Sequence, residues 1–227
     1  TVVPAPGTSA SVTTPVFQTT DGYFRVVTSP NGAWHAARRL GEDKIWRTSG
    51  TGAWESVPAP TSTEAVAIDD DGNLWAAGTH LYVRSGSNWT VTAGVIDALG
   101  TTTELFRVGS RWVAVRSDRV FVSADNGASW VKAPESPVAS GRLYSAVGGF
   151  VYASSDSSSP TVRRFDIAGN TSVVLPSLTT AGVRVMAAGS GLVAVGMNGG
   201  ARMAMWTSGD NGLTWTQVVA SEAFPMS

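Results

Sequence analysis

Ser123-Ala124-Asp125-Asn126-Gly127-Ala128-Ser129-Trp130 and Ser208-Gly209-Asp210-Asn211-Gly212-Leu213-Thr214-Trp215 decide how this chain is read. Both fit Ser-x-Asp-x-Gly-x-[Ser/Thr]-Trp, and they begin 85 residues apart. A short Asp side chain accepts backbone N–H groups inside a hairpin turn, and Gly supplies the positive φ that such turns need. The Ser or Thr adds a local hydrogen bond, while the Trp anchors the turn on a sheet. Ser123, Asp125, Gly127, Trp130, Ser208, Asp210, Gly212 and Trp215 are therefore read as builders of two equivalent turns.

Each turn belongs to one copy of a longer repeat. Phe24 to Val27, Ala65 to Ile68, Leu105 to Val108, Leu143 to Val147 and Val183 to Ala187 each open a unit. A second strand carries Trp34, Trp75, Trp112, Phe150 or Leu192, spaced by 41, 37, 38 and 42 residues. A third strand follows, and a fourth is headed by Trp54, Trp89, Trp130, Ser172 or Trp215, spaced by 35, 41, 42 and 43. Four strands in about 40 residues is the period of a propeller blade. A small antiparallel sheet cannot bury its own apolar faces, so stacked neighbours must cover them, with the fourth-strand aromatic wedged between blades. The spacing predicts an all-β, five-bladed β-propeller of four-stranded antiparallel blades over residues 21–227. A two-sheet β-sandwich is the alternative, but it does not account for the period.

Residues 1–20 break the pattern with three prolines and no charge, which predicts an extended arm or linker. The chain begins at Thr1 with no basic-then-apolar leader, which fits loss of a leader or of an initiator Met.

Composition narrows the function. With 43% hydrophobic and 15% charged residues and a net charge of −1, the chain is neither disordered nor built to bind nucleic acid through a basic field. No apolar run approaches the roughly 20 residues that insert across a bilayer as a helix. The absence of cysteine removes disulfides and thiol chemistry, and two distant histidines, His35 and His80, make no metal set. No metal and no cofactor are expected.

The two Ser-Asp-Gly-Trp stretches resemble the Asp-box, or BNR repeat, of sialidases and of many non-catalytic propellers. Worn copies stand at Ser49-Gly50-Thr51-Gly52-Ala53-Trp54, where Ser takes the place of Asp, and at the shorter Arg84-Ser85-Gly86-Ser87-Asn88-Trp89. Asp166-Ile167-Ala168-Gly169, with no Trp, departs furthest. The resemblance implies that the box lies opposite the functional face, so it is assigned no chemistry. It also brings the sialidase reading, with its arginine triad, Tyr–Glu pair and Asp acid/base. Arg25, Arg107 and Arg184 lie on first strands and could converge. However, Tyr23, Tyr82, Tyr144 and Tyr152 find no glutamate partner, and no facing carboxylate pair is evident among six glutamates. No catalytic residue is assigned, and a glycosidase remains a remote alternative.

The candidate binding residues are Arg38, Arg39, His80, Arg116, Arg119 and Arg202. All sit where second-to-third-strand loops and blade-to-blade loops share one face, with Glu42, Asp43 and Asp118 interspersed. Arg presents a planar fork suited to carboxylate, phosphate or sulfate, and the competing reading is a solvated rim of local ion pairs. The loops from Gly94 to Thr103 and from Ser154 to Pro160 are expected to overhang this face. Asp69-Asp70-Asp71-Gly72-Asn73 reads as a turn rather than a cation site. The sequons at Asn88 and Asn170 matter only in a eukaryotic secretory route.

The expected function is a non-catalytic binding or structural module displayed on a surface. The uncharged arm and Ser/Thr/Gly-rich strands look similar to Asp-box propellers of phage virions and secreted bacterial proteins. The partner is expected to be a protein held through the N-terminal arm, or a surface glycan or receptor, with homo-oligomer or virion assembly. The location is expected to be a virion or extracellular, or else periplasmic or the cell surface. A glycan-binding lectin is the alternative, although its repeated pockets call for the same residues in every blade. An assembly factor for a membrane complex, a role that some Asp-box propellers have, is a further one.

Overall fold

Runs such as Ala65-Val66-Ala67-Ile68 and Leu74-Trp75-Ala76-Ala77, fenced by Gly, Asn and Asp, are too short for helices and rich in residues that suit a pleated sheet. In the computed structural model they are strands. The structure describes residues 12–13, 17–19, 22–39, 42–50, 52–97, 102–116, 119–133, 142–147, 149–155, 162–176, 178, 181–188, 191–198 and 202–218.

Among these residues the strands form five antiparallel sheets in chain order. The first holds β1 (Val12–Thr13), β2 (Phe17–Thr19), β3 (Gly22–Thr28), β4 (Trp34–Arg39), β5 (Lys44–Ser49) and β6 (Glu55–Pro58). The second holds β7 (Ala65–Ile68), β8 (Leu74–Ala77), β9 (His80–Ser85) and β10 (Asn88–Val95). The third holds β11 (Glu104–Val108), β12 (Arg111–Arg116), β13 (Arg119–Ser123) and β14 (Val131–Lys132). The fourth holds β15 (Arg142–Val147), β16 (Phe150–Ser155), β17 (Val162–Asp166) and β18 (Thr171–Val174). The fifth holds β19 (Ala181–Ala188), β20 (Gly191–Asn198), β21 (Arg202–Ser208) and β22 (Thr216–Val218). Sequential hairpins connect them, and a sandwich of two sheets is not what forms.

The first sheet departs from the four-stranded expectation. Val12 and Thr13 pair with Thr28 and Val27, and Phe17 to Thr19 pair with Phe24 to Gly22, so both short strands use the edge of β3 that β4 leaves open. They lie within the segment read as an arm. The Val and Thr content of 11–19 gave that segment strand propensity, and an inner sheet edge with unmade hydrogen bonds gave it a partner.

By packing, the chain divides into two compact units, drawn from Thr8–Ala133 and from Pro134–Ser227. In the first, strand alternation assigns each face of a sheet to a different neighbour. Val66 and Ile68 join Val27, Ala36, Ile45 and Val57 of the first sheet. The intervening Ala65 and Ala67 join Leu105, Trp112, Ala114 and Phe121 of the third. β7 and β8 are buried at every position for this reason, with no polar face. In the second unit Tyr152, Val162 and Leu175 pack with Val185, Leu192, Ala194 and Trp206.

Turns carry the seams between sheets as much as side chains do. Gly94 N–H on β10 donates to the carbonyl of Gly127 in the turn after β13, at 3.0 Å. In the other unit the Tyr152 hydroxyl and Arg164 Nη1 donate to the carbonyl of Asn211, in the turn after β21, at 3.2 and 2.8 Å. Arg47 Nη1 likewise donates to the carbonyl of Gly72, in the turn after β7, at 2.9 Å. Arg47 lies over its own sheet's Trp34, and Arg164 over its own sheet's Phe150. The same device, an arginine stacked at home and donating to the next sheet's turn, is therefore found in both units.

Candidate functional site

The two Ser-Asp-Gly-Trp turns are built alike. Ser123 Oγ donates to Asp125 Oδ1 at 2.8 Å and accepts from Gly127 N–H at 2.8 Å. Asp125 Oδ1 accepts from Ser129 N–H at 2.9 Å, and Oδ2 from the Ser129 hydroxyl at 2.6 Å. Ser208, Asp210, Gly212 and Thr214 repeat this pattern at 2.8, 2.8, 2.9 and 2.6 Å. Asn126 and Gly127, and Asn211 and Gly212, all hold positive φ. Trp130 packs into the cluster joining the second and third sheets, and Trp215 into the one joining the fourth and fifth. Trp89 packs into the first seam and donates Nε1–H to the Pro58 carbonyl at 2.8 Å. Trp54, by contrast, is 47% exposed.

These bonds set the charge state of both aspartates. The hydroxyl and N–H of Ser129, then the Ser123 hydroxyl, hold the Asp125 carboxyl at about 2, and Thr214 and Ser208 do the same for Asp210. A group held that low donates no proton near neutrality, which fits a turn builder. The folded-state pKa is depressed, so the carboxylates' stabilisation is present above the unfolded value of about 3.9 and is lost as pH falls through about 2. The Asp125→Asn/Asp210→Asn chain is expected to melt lower than the parent at pH 7. That gap should narrow in melting curves taken from about pH 4 down to pH 2. A gap that stays constant over this range contradicts the assigned bonds.

The same turn chemistry recurs where the box pattern did not point. Ser29 and Asn31, in the turn between β3 and β4, satisfy each other and the N–H groups of Ala33 and Trp34. Ser29-Pro30-Asn31-Gly32-Ala33-Trp34 is a contraction of the box, and that spacing was its only signal. Asp69 accepts from Asp71 N–H, Asn73 N–H and Trp75 Nε1–H, and Asp70 accepts from Asn31 N–H. The acidic run is thus a turn locked to the first sheet. Asp166 accepts from Ala168 and Gly169 N–H, giving the fourth sheet an Asp turn without its Trp.

The arginine face is engaged by the protein's own groups. Arg38 is buried and donates to Thr63 Oγ1 at 3.0 Å, tying β4 to the segment before β7. Arg39 pairs with Glu42 at 2.9 Å. Arg116 and Arg119 face each other across β12 and β13, and both reach Asp97 Oδ2, at 2.5 and 3.4 Å. His80 opens β9 and is half-buried, paired with Val95. Arg202 opens β21, and its side chain lies outside the described residues, as do those of Arg25 and Arg184 and the whole of Asp118. Arg107 sits over Trp112 at 5.0 Å and Trp75 at 6.0 Å. Of the loop from Gly94 to Thr103, Gly94 and Val95 belong to β10, Ile96 N–H is bonded to Thr79 O and Thr102 Oγ1 to Gly78 O, and residues 98–101 lie outside the described residues. Of the loop from Ser154 to Pro160, Ser154 and Ser155 end β16 and residues 156–160 lie outside the described residues. Among the described candidates Arg38 and Arg39 have local partners of their own, and Asp97 brings Arg116 and Arg119 together.

Comparison with known proteins places the fold. No family model matches the chain, and no curated protein sequence does. Among solved structures it is similar to the GH74 xyloglucanase of Xanthomonas campestris, with a TM-score of 0.60 and 16% identity over 85% of this chain. It spans 38% of that enzyme's length. It is similar to YCF48 bound to a D1 peptide, with a TM-score of 0.55 and 18% identity over 91% of this chain and 70% of that one. YCF48 from Cyanidioschyzon merolae gives 0.55 and 13% over 96% and 87%. These are β-propeller proteins, and the chain has a fold of β-propeller type.

Proposed function

We propose a five-bladed propeller of Asp-box type that acts as a non-catalytic binding module, displayed on a virion or outside a cell, and takes an extended segment of a protein partner. The observation that carries this reading is the exposure of β-branched residues on outer strands: Val91 and Val95 of β10, Val131 of β14, and Val173 and Val174 of β18. Each of these strands ends its sheet among the described residues. An edge strand offers unpaired N–H and C=O groups, and proteins commonly guard such edges with charge or proline. β10 already gives its Gly94 N–H to Gly127 O, and β14 is two residues long and ends in an exposed Lys132. β18, with Val173 and Val174 exposed, therefore best suits addition of a further strand, with main-chain bonds for affinity and alternate side chains for selection. YCF48 with its bound peptide is a precedent for peptide recognition on this fold. Display on a particle or outside a cell rests on the cysteine-free, Ser/Thr/Gly-rich composition.

A displayed library of linear peptides is the probe. Peptides with alternating β-branched residues are expected to bind, and one of Val91→Lys, Val131→Lys or Val173→Lys should weaken binding at least about tenfold, or about 1.4 kcal/mol. That variant identifies the strand used. A glycan array run alongside separates the lectin reading: selective sugar binding with no peptide selected overturns the proposal.

A further inference from the structure

Arg84 lies on β9, half-buried, and its Nε is buried without a hydrogen-bond partner. Strand parity puts it on the same face as Tyr82, and it pairs across the hairpin with Trp89. Tyr82 and Trp89 both pack into the cluster joining the first and second sheets, so Arg84 faces the first sheet. The Trp89 bond to Pro58 fixes that hairpin against β6. On the facing sheet, Arg47 uses two of its five N–H groups within the protein, Nε–H to Glu55 and Nη1 to Gly72 O, and its plane lies over Trp34. Glu55 is more than half exposed and already committed to Arg47. Among the described residues the charges that act on Arg84 are therefore the Arg47 guanidinium and the Glu55 carboxylate, and Glu55 is taken by Arg47.

A buried guanidinium nitrogen left unbonded is costly, and native proteins satisfy nearly all such groups with protein, water or an ion. Burial, and after it the nearby Arg47, push the Arg84 pKa down, while Glu55 opposes them. We propose that the seam between β5–β6 and β9–β10 binds an oxyanion, a carboxylate, sulfate or phosphate group, with the Arg84 fork as its principal donor and Arg47 alongside. The Arg fork matches the planar spacing of such oxygens. This site lies at the turn end of the sheets, away from Arg116 and Arg119 on β12 and β13, and is independent of the edge-strand reading.

The test is titration of the full chain with inorganic phosphate, sodium sulfate and sodium succinate at matched ionic strength, read by calorimetry and by melting. Saturable binding of at least one of the three is expected. Arg84→Met, which keeps the apolar stem, should abolish it, and Arg84→Lys should weaken it at least about tenfold. Glu55→Gln should tighten it by removing the competing carboxylate. Binding of succinate alone points to a carboxylate source such as a peptide, and binding of phosphate or sulfate to an oxyanion ester. The proposal is overturned if no anion binds, or if folded Arg84→Met and Arg84→Lys chains respond to all three salts as the parent does. The latter result means general salt exclusion.

Discussion

Gly94→Ala and Gly127→Ala are expected to destabilise the Thr8–Ala133 unit although neither removes a side chain. A Cβ on Gly127 meets Leu81 Cδ2 and Thr92 Oγ1 at 2.9 Å, and the residue holds φ +85. Left-handed strain of about 1–2 kcal/mol adds to a packing penalty of about 1–3 kcal/mol, so about 2–5 kcal/mol is expected. Gly94 carries no such strain, but a Cβ there falls 2.5 Å from Gly127 O and 2.8 Å from Ala128 O. Those are backbone atoms of the turn it bonds, so the seam must open, at a cost of about 1–3 kcal/mol. The series has its own controls. Gly86 has φ +59 and open space, so Gly86→Ala should cost about 1–2 kcal/mol from strain alone. Gly209 has neither constraint, and Gly209→Ala should stay within about 0.5 kcal/mol of the parent. Urea melts that rank Gly209→Ala below Gly86→Ala, and both below Gly127→Ala, support turn docking as what joins these sheets. Equal effects at Gly86 and Gly127 show instead that only local turn strain matters.

That docking explains what the sequence could and could not reveal. The period and the turns were legible because their causes are local: Asp125 bonds residues two and four away, and strand alternation is written in consecutive letters. Contacts between sheets are not local. Nothing in Lys44-Ile45-Trp46-Arg47 says that Arg47 reaches Gly72, 25 residues on. At the corresponding place on the second sheet Leu81 receives the Gly127 turn by apolar contact. Asp97 shows the same limit. It sits in what reads as a plain loop, yet it gathers Arg116 and Arg119, so the face reads from sequence as surplus positive charge when the carboxylate that engages it stands 19 residues earlier. The pairing of Val12 and Thr13 with β3 was hidden for a different reason. Their Pro-rich, uncharged surroundings resemble a linker, and only an available sheet edge turns that propensity into structure.

The second large effect is expected at Trp112→Ala. Trp112 is fully buried, tilted against Trp75 with ring centroids 4.5 Å apart, and covered by Arg107. Truncation removes the most deeply buried of the three tryptophans in the seam between the second and third sheets, and flanking Ala65, Ala67 and Ala114 are too small to refill it. A loss of about 3–5 kcal/mol follows, read as a drop in melting temperature. Trp112→Phe separates volume from polarity. The Trp112 Nε1 is buried without a partner, so Phe removes an unsatisfied donor as well as volume, and its cost should be well below that of Ala. Arg107 then decides between two roles. As a first-strand arginine it could face a ligand, but its stacking makes it a lid on the Trp pair. Arg107→Met keeps the stem and removes the guanidinium, whose cation–π share is about 0.5–2 kcal/mol. If Arg107→Met and Trp112→Ala are combined, their effects should fall short of additive, because Trp112→Ala already removes the nearer ring that Arg107 covers. Full additivity means that the Arg107 guanidinium stabilises the unit through groups other than Trp112.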